Sequence, residues 1–391
     1  ANWREDQPWE LPPAQLTLAE LGRLSPYYEV QSSYAGKWHL GTEVAESGYG
    51  HPGVQGWGWY AGAFANLYTI QDKYLSYFDW DKVVDGAVVD TTTYATTDTF
   101  DDAVARVGVM AEPWMLMVST NATHLPLEAP PAELVPVDPP AGDGYTTRQM
   151  LEGIDTELAR LLAAIPPEVL ARTTIVLTTD NGTHRAEASD WVDPNRAKGT
   201  LFDGGVHVPL IVSGPAVAVP GSRSAAFVDL VDVFPTVAEW MGVDVGAVPA
   251  VLDATRPYAI DGVSLTPLLQ DPTSAGRAFV YSELFGPPGP GPYTEVDRQM
   301  IRDEQYKLIV DNNSGKVMFF DYAGTRFEGP DLVVCGMDAD QAAAYERLTL
   351  TLAGYTAELV YDAAPYPPEV ADTGVDPDFP IDHDTGVQVC P

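Results

Sequence analysis

Trp114-Met115-Leu116-Met117-Val118 is an uninterrupted apolar run, opened by Pro113 and followed by Ser119 and Thr120. A run of this kind reads as a strand covered on both faces, as in the interior of a parallel sheet. Its flanks have a different period. Upstream, residues 99–110 place Phe100, Ala103, Val104 and Val107 on one helical face. Downstream, Thr146 begins a helix with Met150, Ile154, Leu158 and Leu161 at helical spacing. Helix, buried strand, helix is the repeating unit of an α/β fold. The same alternation extends in both directions. Residues 16–24 read as a short helix and 27–34 as a strand. Residues 174–179 (Thr-Ile-Val-Leu-Thr-Thr) form a second buried strand, and 208–212 a third. Residues 227–241 read as a helix that Pro235 starts or kinks. The expected fold is a mainly parallel sheet sandwiched by helices over residues 1–275.

The character then changes. After a Gly/Pro loop at 286–292, short strands at 299–302, 306–310 and 317–320 are joined by Asp, Asn and Gly turns, hence antiparallel. A helix at 339–359 follows to cover them. Residues 276–391 are therefore expected to form a smaller antiparallel α+β subdomain with a Pro- and Asp-rich tail.

The formal net charge of −35 over 391 residues excludes a nucleic-acid binder that works through a general basic face. Hydrophobic residues make up 45% of the chain and charged ones 20%, which argues against disorder. No apolar run approaches the roughly 18 residues of a membrane span. The sequence pI near 4.2 fits an extracellular or high-salt setting, and equally an ordinary acidic bacterial-type surface. Cys335 and Cys390 are the chain's two cysteines, readable as one staple of the tail or as two thiols.

In a parallel sheet, ligands gather beyond the carboxyl ends of the strands. The strand at 27–34 runs into Gly36-Lys37-Trp38-His39-Leu40-Gly41. If the extended backbone persists there, Lys37 and His39 share one side and Trp38 points into packing. The run at 114–118 leads into Asn121-Ala122-Thr123-His124-Leu125-Pro126, and the run at 174–179 into Asp180-Asn181-Gly182. Asp and Asn oxygens suit a hard cation such as Ca²⁺ or Mg²⁺. Gly182 is expected to allow a tight turn that aims both side chains together. A fourth loop, Lys198 to Gly205, adds a second cation. Taken singly, Asp-Asn-Gly is more often a plain turn, and a lone His or Lys a packed or solvated residue. Convergence of two lysines, two histidines and a hard-metal pair points instead to a metal-assisted site for an oxyanion ester, with His as general acid.

Gly36-Lys37-Trp38-His39-Leu40-Gly41 resembles the lysine-histidine signature of the type I sulfatases, of the alkaline phosphatase superfamily. The resemblance continues in order through His51-Pro52-Gly53 with Gly56-Trp57-Gly58-Trp59, then Asn121 to Pro126, although the family usually has Pro at the position of Thr123. It goes on through Thr179-Asp180-Asn181-Gly182, Lys198-Gly199-Thr200 and Asp203-Gly204-Gly205. Ile260 to Leu265, Arg302-Asp303 and Tyr306-Lys307 agree with later, structural signatures. The resemblance implies an alkaline phosphatase-like fold and hydrolysis of a sulfate monoester of a sugar or aryl alcohol. It assigns Asp180 and Asn181 to a divalent ion, usually Ca²⁺, and Lys37 and Lys198 to the sulfate oxygens. His39 would orient the nucleophile and His124 protonate the departing alcohol. His184 and His207 match no catalytic position and are expected to pack or to support the residues that do.

One departure matters. The family's nucleophile is a formylglycine made from Cys or Ser in a Cys/Ser-x-Pro-x-Arg motif, and this sequence has no such motif. The strand that carries the paired metal aspartates is absent too, which should leave apolar neighbours and backbone groups of the sheet exposed. The expectation is a carboxyl-terminal portion of a secreted or periplasmic sulfatase, with the formylglycine in an amino-terminal segment that could be a separate chain. As written, the sequence is expected not to turn over sulfate esters. The alternatives are a non-catalytic binder of sulfated glycans, or a phosphonate or phosphodiester hydrolase of the same superfamily.

Overall fold

The computed structural model describes residues 8–67, 76–142, 144–188, 192–246, 260–286 and 296–358, except 14, 138 and 140. Much of the Gly/Pro loop expected after residue 286, and the tail with Cys390, lie outside the described residues; Cys335 is disulfide-bonded. The chain packs as two compact units that interleave along the sequence. One takes Arg4–Thr174 with Val231–Ser264; the other takes Ile175–Leu230 with Leu265 onward.

The first unit holds a five-stranded sheet of β1 (Gln31–Gly36), β2 (Tyr60–Gly62), β3 (Trp80–Val84), β4 (Ala87–Thr91) and β5 (Trp114–Ser119), in the order β4-β3-β2-β1-β5. β2, β1 and β5 are parallel; β3 and β4 are antiparallel additions. The period-2 geometry of β5 splits its apolar run between two layers. Trp114, Leu116 and Val118 pack with Ala35 against Phe100, Ala103, Leu158 and Leu161 of the helices Ala95–Val107 and Tyr145–Ala164. Met115 packs on the other face, with Tyr34, Trp38, Trp57, Tyr60 and Phe64. The sandwich expected from the sequence is present here. The aromatic segment at 57–64 belongs to this core.

β5 is nevertheless an edge strand, and Met117 remains 38% exposed. Its composition is that of a central strand.

In the second unit, β6 (Ile175–Thr178) and β7 (Leu210–Ser213) pair antiparallel with each other. The connection between them carries only single-turn helices in its described part, the longest being Asp203–Val206. It lacks the long helical crossover that a parallel return requires. A four-stranded antiparallel sheet follows, ordered β11-β10-β9-β8 from β8 (Val280–Gly286), β9 (Val296–Arg302), β10 (Tyr306–Asp311) and β11 (Lys316–Asp321). Alternation sends Ile301, Leu308 and Phe319 toward Ala344, Leu348 and Leu352 of the helix Ala339–Glu358. Met300, Ile309, Met318 and Phe320 form the other face, against Leu201, Phe202 and Val206.

Candidate active site

In the first unit, the carboxyl ends of β1 and β5 lie side by side, with Gly36 opposite Ser119. Gly36 sits at φ +111°, and a Cβ there would meet the Ser119 carbonyl oxygen at 2.0 Å. Only glycine allows so close an approach. The Lys37 amide donates to that same carbonyl at 2.7 Å, and the Trp38 and His39 amides donate to Ala63 and Phe64. The extended backbone expected through Lys37 and His39 does not persist. β1 stops at Gly36, and His39 adopts φ +49°, a left-handed conformation that costs energy for a non-glycine residue. Strain of this kind clusters at functional sites.

Trp38 does point into packing, as expected. Its ring is buried edge-on against Tyr34, and its Nε1 donates to His51 Nδ1 at 3.0 Å. That bond requires His51 to carry its proton on Nε2, which faces the Leu11 carbonyl at 3.0 Å. Burial pushes the His51 imidazole below its ordinary range, outweighing the opposite pull of the Leu11 carbonyl and the Glu10 charge. Lys37 Nζ donates to Asn66 Oδ1 at 3.0 Å. His124 Nδ1 lies 2.9 Å from the Leu125 carbonyl, and the buried Tyr77 hydroxyl donates to the His124 carbonyl. Lys37, His39 and His124 thus share one end of one sheet. Asn66, His51 and Tyr77 support them, and the sequence carries no local signal for Asn66 or Tyr77.

In the second unit, two loops are stitched together. The Gly182 amide donates to the Gly205 carbonyl at 2.9 Å, and the Lys198 amide to the Thr183 carbonyl at 2.9 Å. Asp180, Asn181 and Lys198 therefore belong to one loop pair. Gly182 is needed for a different reason from the one expected. It has no left-handed φ; a Cβ on it would meet the Gly204 carbonyl oxygen at 1.9 Å. The glycine serves close backbone approach between loops. Asp180 is exposed, and its Oδ1 accepts from the Asn181 amide at 2.9 Å.

The oxygens of Asp180 and Asn181 have the donor chemistry of a hard-cation site, but calcium takes about six to eight oxygens. Among the described residues no cluster of three or more His, Cys, Asp or Glu side chains is placed to hold a metal ion. These residues fall short of a complete site. His184 caps a short turn, its Nδ1 accepting from Ala186 N, and His207 lies 3.8 Å from Asp203. Both have structural partners.

Behind the Lys198 loop lies a buried charge cluster. Lys307, 0% exposed, donates to Asp203 Oδ1 at 2.9 Å and to Glu328 Oε1 at 2.6 Å. Arg302 donates to Asp203 Oδ2 at 2.9 Å, and the Tyr322 hydroxyl to Asp203 Oδ1 at 3.0 Å. Burial alone would raise the Asp203 carboxyl, but His207, Lys307 and Arg302 together hold it well below the usual carboxylate range.

Comparison with known proteins agrees with this architecture. The family model described as Sulfatase matches residues 5–243. Arylsulfatase K of Xenopus laevis is 34% identical over 101 residues, which is 26% of this chain and 16% of that protein. Steryl-sulfatase of Mus musculus is 37% identical over 130 residues, 31% of this chain and 19% of that protein. The matches thus span a minor part of these curated relatives. Among solved structures, Ps i-CgsB aligns with a TM-score of 0.68 at 18% identity, covering 90% of this chain and 76% of that one. BT4656, solved with D-glucosamine-2-N,6-O-disulfate, aligns with a TM-score of 0.64 at 18% identity, covering 89% and 83%. Because the family model matches more than half of the residues of this chain, and these structures share its alkaline phosphatase-like fold, this chain belongs to the sulfatase family.

Proposed function

We propose that this chain supplies the sulfate-binding and acid-catalytic residues of a sulfuric ester hydrolase acting on a sulfated sugar or aryl alcohol. The observation that carries the reading is the stitching of the Asp180–Thr183 loop to Lys198. It brings a pair of hard oxygens and a cation onto one scaffold within a chain of sulfatase family membership. A sulfated sugar is favoured because BT4656, of similar fold, was solved with one.

Lys37 and Lys198 hold the sulfate oxygens, offering positive charge as negative charge moves toward the leaving oxygen. His124, as the imidazolium, donates the Nε2 proton to the departing alcohol and is left neutral, its Nδ1–H remaining on the Leu125 carbonyl. His39 orients the nucleophile. Asp180 and Asn181 would contribute two oxygens toward a divalent cation, Ca²⁺ or Mg²⁺; among the described residues no cluster of three or more His, Cys, Asp or Glu completes such a site. A formylglycine, when present, supplies the attacking oxygen. Its Cys/Ser-x-Pro-x-Arg source is not in this sequence, and the open edge of β5 is where a further strand, in the same or a separate chain, would pair. Residues 1–275 are taken as the catalytic domain, 276–391 as the subdomain and tail, and the protein as secreted or periplasmic.

The chain alone should therefore bind sulfate and sulfated monosaccharides without cleaving them. Isothermal titration with inorganic sulfate and with glucosamine 6-sulfate should show binding that Lys37→Ala and Lys198→Ala each weaken. Unchanged affinity in both variants would overturn the assignment. Tighter binding of phosphate than of sulfate would favour a phosphoester hydrolase instead.

A further inference from the structure

The buried cluster of Lys307, Asp203, Glu328 and Arg302 touches none of the residues to which the sulfatase reading gives chemistry, yet it sits one short turn from two of them. Four charged side chains packed together are costly unless each is paired, and removing one partner of such a cluster is strongly destabilising. The geometry here is specific. Asp203 opens the turn Asp203–Val206, and its backbone amide donates to Glu328 Oε1 at 2.7 Å, the same oxygen that Lys307 binds. The Glu328 carbonyl accepts from Arg196 at 3.1 Å, and Arg196 stacks on Phe202 at 4.8 Å and Phe320 at 5.5 Å. Arg302 stacks on Tyr322 at 3.8 Å while holding Asp203. The segment 196–206, which contains Lys198, is thus pinned at both ends to β9, β10 and β11.

From that turn the constraint passes to the Asp180 loop. The Gly205 carbonyl takes the Gly182 amide, and Gly204 lies so close to Gly182 that no side chain fits between. We propose that Lys307 is a positioning residue: it fixes the Asp203–Val206 turn through Asp203 and Glu328, and so sets the spacing of Asp180 and Asn181 from Lys198. This rests on the sulfatase reading for its purpose, but not for its mechanics. The same parity that places Met300 and Ile309 on this face of the sheet places Arg302 and Lys307 there too. Lys307 reaches the turn from a strand that is hydrogen-bonded on both edges, so it is a rigid anchor.

Lys307→Met alone would strand a carboxylate in the interior and could unfold the unit. The charge-balanced double variant Lys307→Met/Glu328→Gln removes the tie while keeping the Arg302–Asp203 pair. Glu157→Gln, which removes the charge of the buried Glu157 that pairs with the exposed Arg160 in the other unit, serves as a control of purely structural kind. Amide exchange by mass spectrometry and inorganic sulfate affinity are measured on all three full-length chains, wild type included. The double variant should speed exchange in peptides spanning 180–184 and 198–206 and weaken sulfate binding by about ten- to hundredfold, the range for outer-shell partners. Glu157→Gln should change neither. Unchanged exchange in those peptides of a folded double variant overturns the proposal. Faster exchange in a protein whose wild type does not bind sulfate would instead sustain the positioning role and defeat the sulfatase reading.

Discussion

Replacing His51 with Leu tests the support of the Lys37–His39 loop at its most exposed dependence. His51 is 0% exposed and is the acceptor for the buried Trp38 indole. Leucine has a similar volume, so repacking adds at most about 1 kcal/mol. The orphaned Trp38 N–H costs about 1–3 kcal/mol. The Leu11 carbonyl loses little, because Gln55 Nε2 still donates to it at 2.7 Å. The total is about 1–4 kcal/mol at neutral pH. The loss also has a pH signature. The folded His51 pKa is depressed, so as the pH falls through about 6.5 the unfolded chain takes up a proton that the folded chain refuses. The contribution of His51 is whole above that pH and is lost as the pH falls toward the folded value. The Leu variant has no such term, so the stability gap should be widest near neutrality and narrow in mild acid. Urea unfolding followed by tryptophan fluorescence at several pH values measures it. A gap below about 1 kcal/mol, or one that widens with acid, would refute the reasoning.

Gly182→Ala places a methyl where the Gly204 carbonyl oxygen lies at 1.9 Å, against backbone that cannot rotate away. Separating the loops should cost about 1–3 kcal/mol and weaken sulfate binding, read by thermal unfolding and titration on one sample. On the open edge of β5, Met117→Lys should reduce concentration-dependent light scattering with little change in the unfolding midpoint, because a lysine blunts edge-to-edge pairing. The two loop sets should also differ in acid. Asp203 is depressed, so its contribution holds above the ordinary carboxylate range and is lost only as the pH falls through its still lower folded value. Amide exchange in mild acid, corrected for intrinsic rates, should therefore rise in residues 37–41 before residues 198–206, and the reverse order would contradict both assignments.

Much of the fold was legible because burial is written in composition. The run at 114–118, the helical faces at 99–110 and 146–161, and the antiparallel strands after 299 all fall where the periods place them, within a few residues at their ends. The hairpin of β3 and β4 has no clear alternation in the sequence. Its turn, Asp85-Gly86, has φ values of +45° and +87°, the backbone of a tight hairpin. The flanking Asp81, Lys82 and Asp90 dilute the alternation. Lys82 is legible only in three dimensions, where it sits between Asp98 and Asp102. The site was legible as a set of residues, not as geometry. Nothing local announces that His39 leaves the extended region, or that Gly182 answers to Gly204 rather than to its own turn.

Lys307 shows why such information is missing from any short window. In Tyr306-Lys307-Leu308-Ile309, alternation puts Lys307 on the same strand face as Ile309, and in an isolated sheet that lysine would stand in water. What reverses it is a partner 104 residues away, Asp203, arriving on a turn that also covers Ile309 and Phe320. Burying a lysine there is favourable only once both carboxylates and the turn are in place, so the cluster and the loop geometry form together or not at all. The support at His51 is different: neutral and aromatic, with contacts within 40 residues of chain. The two loop sets thus depend on two kinds of scaffold. One fails when a proton is added to an imidazole, and the other when an ion pair loses a partner.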